Sequence, residues 1–238
     1  MASAVSLRAA VALTGRFPVL AGIDLTVDPG EILVLEGPNG AGKTSVLRAC
    51  AGLLPVTSGH AVVLGHDLRR HPSAVRRQVG MLGHAAALYN ELNVVENVRF
   101  AVRAAGGSVD GIDAALDRLG LVGRLRRTTV GRLSAGQRRR VALAVLVARH
   151  PALWLLDEPH AALDAGARAL LGDIVTGAVA GGATVLIASH EPEASLPLAH
   201  RAVTLAGGRV TDERTLERRV PDPGQIESTR VVGAVHVA

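Results

Sequence analysis

Short apolar runs, broken by glycine, proline and aspartate, fill the first third of the chain. From Val11 to about Val34 apolar stretches alternate with Gly, Asp and Pro, the pattern of short strands joined by turns. Asp28-Pro29-Gly30 is a tight turn that feeds Glu31-Ile32-Leu33-Val34-Leu35-Glu36, a run predicted to be a buried strand. Beyond a glycine-rich stretch, Thr44 to Ala51 carries apolar residues at helical spacing with no breaker. Ala61-Val62-Val63-Leu64 and Val79-Gly80-Met81-Leu82 are further strand candidates. A mainly helical region follows. Asn93-Val94-Val95-Glu96 reads as a capping box that opens a helix running through Phe100 and Val102, and Ile112 to Leu119 as an amphipathic helix ended by Gly120. Leu153-Trp154-Leu155-Leu156 and Thr184-Val185-Leu186-Ile187-Ala188 show no alternation at all, as expected of strands covered on both faces. Ala202-Val203-Thr204-Leu205 and a Gly207-Gly208 turn close the compact part, and no long internal repeat is present.

Composition narrows the picture. Of the 238 residues, 48% are hydrophobic but only 2% aromatic, so the core must be built from Ala, Val and Leu. The length suits one domain with an inserted lobe. A formal net charge of +5 would favour anionic partners, yet the lack of aromatic stacking residues argues against a single-strand nucleic-acid platform. Cys50 is the single cysteine and has no internal disulfide partner, which fits a reducing compartment. The longest apolar run, around Val141 to Ala148, is roughly half of what spans a bilayer, and no signal peptide is evident at the N-terminus. The chain is therefore expected to be soluble and cytoplasmic, relying on another chain's membrane domain for any membrane process.

Among 26 basic side chains one is lysine, Lys43. It stands in Gly37-Pro38-Asn39-Gly40-Ala41-Gly42-Lys43-Thr44, which fits G-x-x-x-x-G-K-[ST] and is followed by Ser45. A glycine-lined loop around a phosphate chain has room for a compact ammonium but not for the planar fork of arginine. The motif lies between a predicted strand and a predicted helix, so loop N–H groups and the helix N-terminus together favour a bound anion. The expected ligand is a nucleotide.

Two further motifs add chemistry. Asp157-Glu158-Pro159 closes the apolar run Leu153–Leu156, at the carboxyl end of a buried strand where open α/β sheets bind ligands. P-loop enzymes use an aspartate there, with the loop hydroxyl, to hold Mg²⁺, which assigns the metal to Asp157 and Thr44. Glu158 is then placed to polarise a water as general base. Leu133-Ser134-Ala135-Gly136-Gln137 precedes Arg138-Arg139-Arg140-Val141-Ala142-Leu143-Ala144. Ser134 and Gln137 make a capping box for that helix, and a capped N-terminus with small residues is also an anion site. Both readings hold together.

The pentapeptide Leu133–Gln137, about twenty residues before the Asp-Glu pair, resembles the signature of ABC-type ATPases. That resemblance implies ATP and Mg²⁺ as ligands and an α/β P-loop NTPase fold: a RecA-like mixed sheet, an N-terminal antiparallel β region and an inserted helical subdomain. It divides the chain into a single nucleotide-binding domain over 1–210, with 1–84 and 151–210 as catalytic core and 85–150 as helical subdomain, and a C-terminal extension over 211–238. It also implies a head-to-tail homodimer, in which the signature caps the γ-phosphate held by the other copy's P-loop. His190, after the strand ending Ala188-Ser189, falls where the family has its switch histidine, and Asp164 in Ala162-Leu163-Asp164 falls at the loop that crosses the dimer interface. Two positions depart from the pattern. His84 stands where the family carries a glutamine that contacts Mg²⁺ and water, and the adenine-stacking tyrosine is missing, with Thr14 and Gly15 near that place and Phe17 the nearest aromatic.

Gly83-His84, Leu88-Tyr89-Asn90-Glu91-Leu92, Glu96-Asn97-Val98-Arg99-Phe100 and the alanine-containing signature are together most similar to the ATP-binding subunits of the haem exporters of cytochrome c biogenesis. The resemblance implies an ATPase on the cytoplasmic face of the cell membrane, docked on integral membrane subunits through the Q-loop and helical subdomain. No paired histidine motif is present for haem itself, and no direct nucleic-acid contact is expected. A general exporter ATPase for drugs or lipids is the alternative within the class. A non-transport relative acting on nucleic acid or ribosomes would need two nucleotide modules or a long coiled coil, and neither pattern occurs here.

Overall fold

The computed structural model describes residues 2–83, 87–161 and 163–216. The chain opens with two long strands, β1 (Val5–Thr14) and β2 (Phe17–Val27), which pair as an antiparallel hairpin. β1 begins well before the Val11 at which the apolar pattern becomes readable. Short β3 (Ile32–Glu36) leads through the glycine loop into α1 (Lys43–Cys50). Then β4 (Val56–Val63) returns to β1, and β5 (His66–Asp67) completes a four-stranded antiparallel sheet of order β2-β1-β4-β5.

A second sheet forms the centre of the molecule. Its members are β3, β6 (Val79–Leu82), β7 (Leu153–Asp157), β8 (Thr184–Ala188), β9 (Arg201–Ala206) and β10 (Arg209–Thr215), in the order β10-β9-β3-β8-β7-β6. The pairings β9-β3, β3-β8, β8-β7 and β7-β6 are parallel, and β10 alone is antiparallel to its neighbour. The side-chain alternation explains why these strands read as continuous apolar runs. Leu33, Leu35, Leu153, Leu155, Leu186 and Ala188 face α1 and the antiparallel sheet. Val34, Trp154, Leu156, Val185 and Ile187 face the opposite side, where α5 (Ala165–Ala180) and the helical lobe cover them. Two apolar layers are thus separated by one sheet. Trp154 is the one aromatic side chain in these layers, and its indole N–H donates to the Pro151 carbonyl at 3.1 Å.

The helical lobe contains α2 (Val94–Ala104), α3 (Ile112–Arg118) and α4 (Ala135–Arg149). Both predicted capping boxes form. Asn93 Oδ1 accepts from the Glu96 N–H while Glu96 Oε2 accepts from the Asn93 N–H, each at 2.9 Å. Ser134 and Gln137 make the same reciprocal pair at the start of α4. The predicted helix from Ile112 stops at Arg118, with Gly120 left-handed just beyond it.

The sheet does not end where the apolar pattern does. β10 carries it to Thr215, and one guanidinium nitrogen of Arg214 donates to both carboxylate oxygens of Glu36 on β3, at 2.7 and 2.8 Å. The compact unit therefore continues past residue 210 into the stretch expected to be an extension. β10 escapes a hydrophobic reading because it is an exposed edge strand, and edge strands carry charge that discourages further pairing.

Asn97 fastens the lobe internally. It is buried on α2, donates through Nδ2 to the carbonyls of Tyr89, Leu92 and Asn93, and accepts from the Tyr89 N–H at 2.8 Å. Asn97→Leu removes the bonds to the Tyr89 N–H and carbonyl without changing side-chain volume greatly, while the Leu92 and Asn93 carbonyls keep the backbone N–H groups of Val130 and residue 97. Urea unfolding is expected to show a loss of roughly 2–3 kcal/mol. An unchanged midpoint would mean that water replaces every one of these bonds.

Candidate active site

The glycine loop is shaped by close backbone contact on two sides. Gly37, at φ 129°, brings its Cα so near β9 that an added Cβ would lie 2.3 Å from the Leu205 carbonyl oxygen. At the other end, the Gly208 N–H donates to the Ala41 carbonyl while the Gly208 carbonyl accepts from Ala21 on β2. The β9–β10 turn thus braces the loop against the antiparallel sheet. Within the loop the Lys43 ammonium donates to the carbonyls of Gly37 at 2.6 Å and Pro38 at 3.1 Å, and the Ala41 N–H also donates to Pro38.

Beside α1 lies a cleft of about 490 Å³ lined by Val19, the loop residues Asn39, Gly40, Ala41, Gly42, Lys43, Thr44 and Ser45, and by Asp157, Glu158 and His190. Residues more than a hundred positions apart meet here because β3, β7 and β8 are neighbours in one parallel sheet. Their carboxyl ends deliver the loop, the acidic pair and His190 to the same edge. Thr44 Oγ1 lies 3.1 and 3.0 Å from the two carboxylate oxygens of Asp157 and donates to them. This is a hard-oxygen donor set, suited to Mg²⁺, which takes few protein oxygens and keeps others from water and phosphate. Among the described residues no group of three or more His, Cys, Asp or Glu could hold an ion alone, so an ion here would need oxygens from its ligand.

Glu158 sits at the edge of the cleft in a left-handed backbone conformation, φ 48°, unusual for a residue with a side chain. Its N–H donates to Ala188 on β8. Its carboxylate accepts from the His190 N–H at 2.9 Å and from Nδ1 of the same residue at 2.8 Å, and Ser189 Oγ reaches it at 3.4 Å. The Glu158 hydrogen bond and charge hold the exposed His190 imidazole above its ordinary pKa.

The remaining predicted positions fall elsewhere. Ser134, Ala135, Gly136 and Gln137 form the exposed start of α4, outside the lining of this cleft, with the Ser134 hydroxyl proton not used in the capping box. Asp164 caps α5 by accepting from Ala167 at 2.7 Å. His84 lies outside the described residues. Phe17 is exposed at the β1–β2 turn, and Val19 is the β2 residue that faces the cleft.

One residue missed in the motifs joins the site from behind. Arg139, the second of three consecutive arginines on α4, donates to the carbonyls of Gly83 at 2.7 Å, Glu158 at 2.8 Å and Asp157 at 3.2 Å. Burial pushes its guanidinium down in pKa, against the pull of the Asp157 and Glu158 charges. In sequence it is one solvated charge in a run, and only the packing of α4 on the sheet distinguishes it.

The ABC transporter family profile matches residues 20–161. The chain is 42% identical over 180 residues to the cytochrome c biogenesis ATP-binding export protein CcmA of Mesorhizobium japonicum, covering 75% of this chain and 87% of that protein. It is 40% identical over 193 residues to the protein of the same name from Nitrobacter winogradskyi, covering 81% and 93%. Among solved structures, an ATP-binding subunit of an ABC transporter superposes with a TM-score of 0.82 at 28% identity over 90% of both chains. A dimeric bacterial ABC transporter cassette has the same fold, with a TM-score of 0.81 at 23% identity over 90% of this chain and 99% of that one.

The sign of the His190 shift gives a test. Because its pKa is raised in the folded protein, the stabilisation from the Glu158 pair is complete below the ordinary imidazole pKa and is lost as pH rises through the raised value. An NMR titration should place the His190 midpoint above that of an unpaired histidine, and Glu158→Gln should lower it. Equal midpoints in the two proteins would show that the pair does not form in solution.

Proposed function

The chain belongs to the ABC transporter family, in the group of cytochrome c biogenesis ATP-binding export proteins, and on that footing we propose that it is the ATP-hydrolysing subunit of a haem-export complex. The observation that carries the reading is the convergence, on one cleft, of the glycine loop, the Thr44–Asp157 pair and the Glu158–His190 pair. ATP hydrolysis needs each. Loop N–H groups of residues 39–45 bind the β- and γ-phosphates, and the Lys43 ammonium neutralises their charge. Thr44 and Asp157 would hold Mg²⁺, which when bound supplies positive charge opposite the phosphate oxygens. Glu158 accepts the proton of the attacking water, and His190 fixes its carboxylate and addresses the γ-phosphate.

The site is completed by a second copy. Ser134, Ala135, Gly136 and Gln137 of one subunit close over the nucleotide held by the other's loop, and Asp164 lies at their interface. The Ser134 hydroxyl keeps a proton to donate, and the α4 N-terminus adds its dipole. Val19 supports the adenine by apolar contact in place of an aromatic ring.

No helix among the described residues is long and apolar enough to cross a membrane. In the proposed complex, transport runs through separate integral membrane subunits, as the relatives' naming as ATP-binding export proteins supports, and these meet the segment from residue 84 to 103 and the helical lobe on the cytoplasmic face. The chain itself binds neither haem nor nucleic acid.

Glu158→Gln should retain ATP binding while turnover falls at least about a hundredfold, the scale of a lost general base, with closed dimers accumulating. Undiminished hydrolysis would remove Glu158 from that role. The cargo has its own test. The native membrane complex, purified through this subunit, is expected to carry haem absorbance, and a pigment-free complex that exports lipids or drugs would favour the general exporter.

A further inference from the structure

Arg139 lies where the signature helix, the end of β6 and the Asp157-Glu158 turn come together, and it hydrogen-bonds to the backbone of the last two. Its guanidinium donates to Gly83, one residue past β6, and to the carbonyls of Asp157 and Glu158, at 2.7, 3.2 and 2.8 Å. Such a fan of bonds needs a planar fork. An ammonium on a flexible stem offers a point charge without that shape. Its Nε is buried and makes no hydrogen bond among the described residues, so the side chain is not arranged for its own satisfaction but for those three carbonyls.

What it holds is an unfavourable conformation. Glu158 is left-handed at φ 48°, and a non-glycine residue persists there only when its surroundings over-determine it. The Glu158 N–H is fixed by the Ala188 carbonyl, and its carbonyl oxygen accepts from Arg139 at 2.8 Å and, at 3.2 Å, from the Ala161 N–H of the following turn. With both ends of the residue pinned, the carboxylate is directed at His190 and the cleft. Without Arg139 the carbonyl keeps only the longer, local Ala161 bond, whose donor lies in the same turn and moves with it, so the backbone can relax towards an ordinary region and the carboxylate turns with it.

We propose that Arg139 is a positioning residue for Glu158, holding the proposed base in its productive backbone conformation and tying that conformation to the placement of the signature helix. This rests on the ATPase reading of the cleft. α4 begins at Ala135, immediately before Arg139 by little more than one turn, so the element that faces the second subunit's nucleotide also grips this subunit's own acidic turn. A tilt of α4 that seats Ser134 and Gly136 on the partner site thereby alters the purchase of Arg139 on Glu158. In a dimer with two composite sites, Arg139 is then one link between the geometry of the two sites.

The test compares full-length Arg139→Gln and Arg139→Lys with the unsubstituted protein, reading kcat, the KM for ATP and thermal unfolding. In R139Q, kcat is expected to fall by at least about tenfold while KM changes by less than about threefold, because the loss is confined to a group acting in the transition state. In R139K a partial recovery of kcat is expected, since a charge that reaches only some of the carbonyls restores part of the hold. Retention of kcat in folded R139Q overturns the proposal, as does a rise in KM that matches the fall in kcat. Should R139Q fail to fold, R139K decides: a wild-type kcat there shows that the fork is not needed. Failure of the unsubstituted protein to hydrolyse ATP with its partners would count instead against the ATPase reading, which keeps the two outcomes apart.

Discussion

The structure depends on a sheet that is covered on both faces. β3, β7 and β8 have no exposed side, so along their length they can carry only apolar residues, and their polar chemistry is confined to the ends. The carboxyl ends of these three strands supply the loop that follows Glu36, the acidic pair at 157–158 and the Ser189-His190 step. Because the strands are adjacent and parallel, those ends form one edge. The cleft is a consequence of this constraint: its polar groups stand where the core runs out.

Local patterns in the sequence were enough to locate most of what builds that edge. The runs at Leu153–Leu156 and Thr184–Ala188 lacked alternation because alternate side chains pack into two different apolar layers, and the structure divides them accordingly. Asn93-Glu96 and Ser134-Gln137 announced helix starts because a capping box is a purely local arrangement of hydrogen bonds. The glycine loop announced itself because close approach and positive φ leave few residues to choose from.

Contacts whose two halves are distant in sequence left no such trace. Nothing around Arg139 separates it from Arg138 or Arg140, since its role arises only when α4 lies against the end of β7. β10 has too few buried positions to look like a strand, yet it binds Glu36 and closes the sheet. The pairing of Glu158 with His190 joins two motifs that each read as separate strand ends. Cys50 shows the same division in reverse. Its burial in α1 was consistent with its helical spacing, but only the packing reveals a thiol pushed up to about 12, which leaves almost no thiolate to react.

The chain's one lysine is already engaged before any phosphate is considered. With its ammonium donating to the Gly37 and Pro38 carbonyls, Lys43 ties the start of the loop back to its end. An incoming polyphosphate would not meet an ammonium standing free in solvent. On the proposed reading it meets an ammonium already buried and bonded to two carbonyls, so capture is an exchange of partners and not the burial of a free cation.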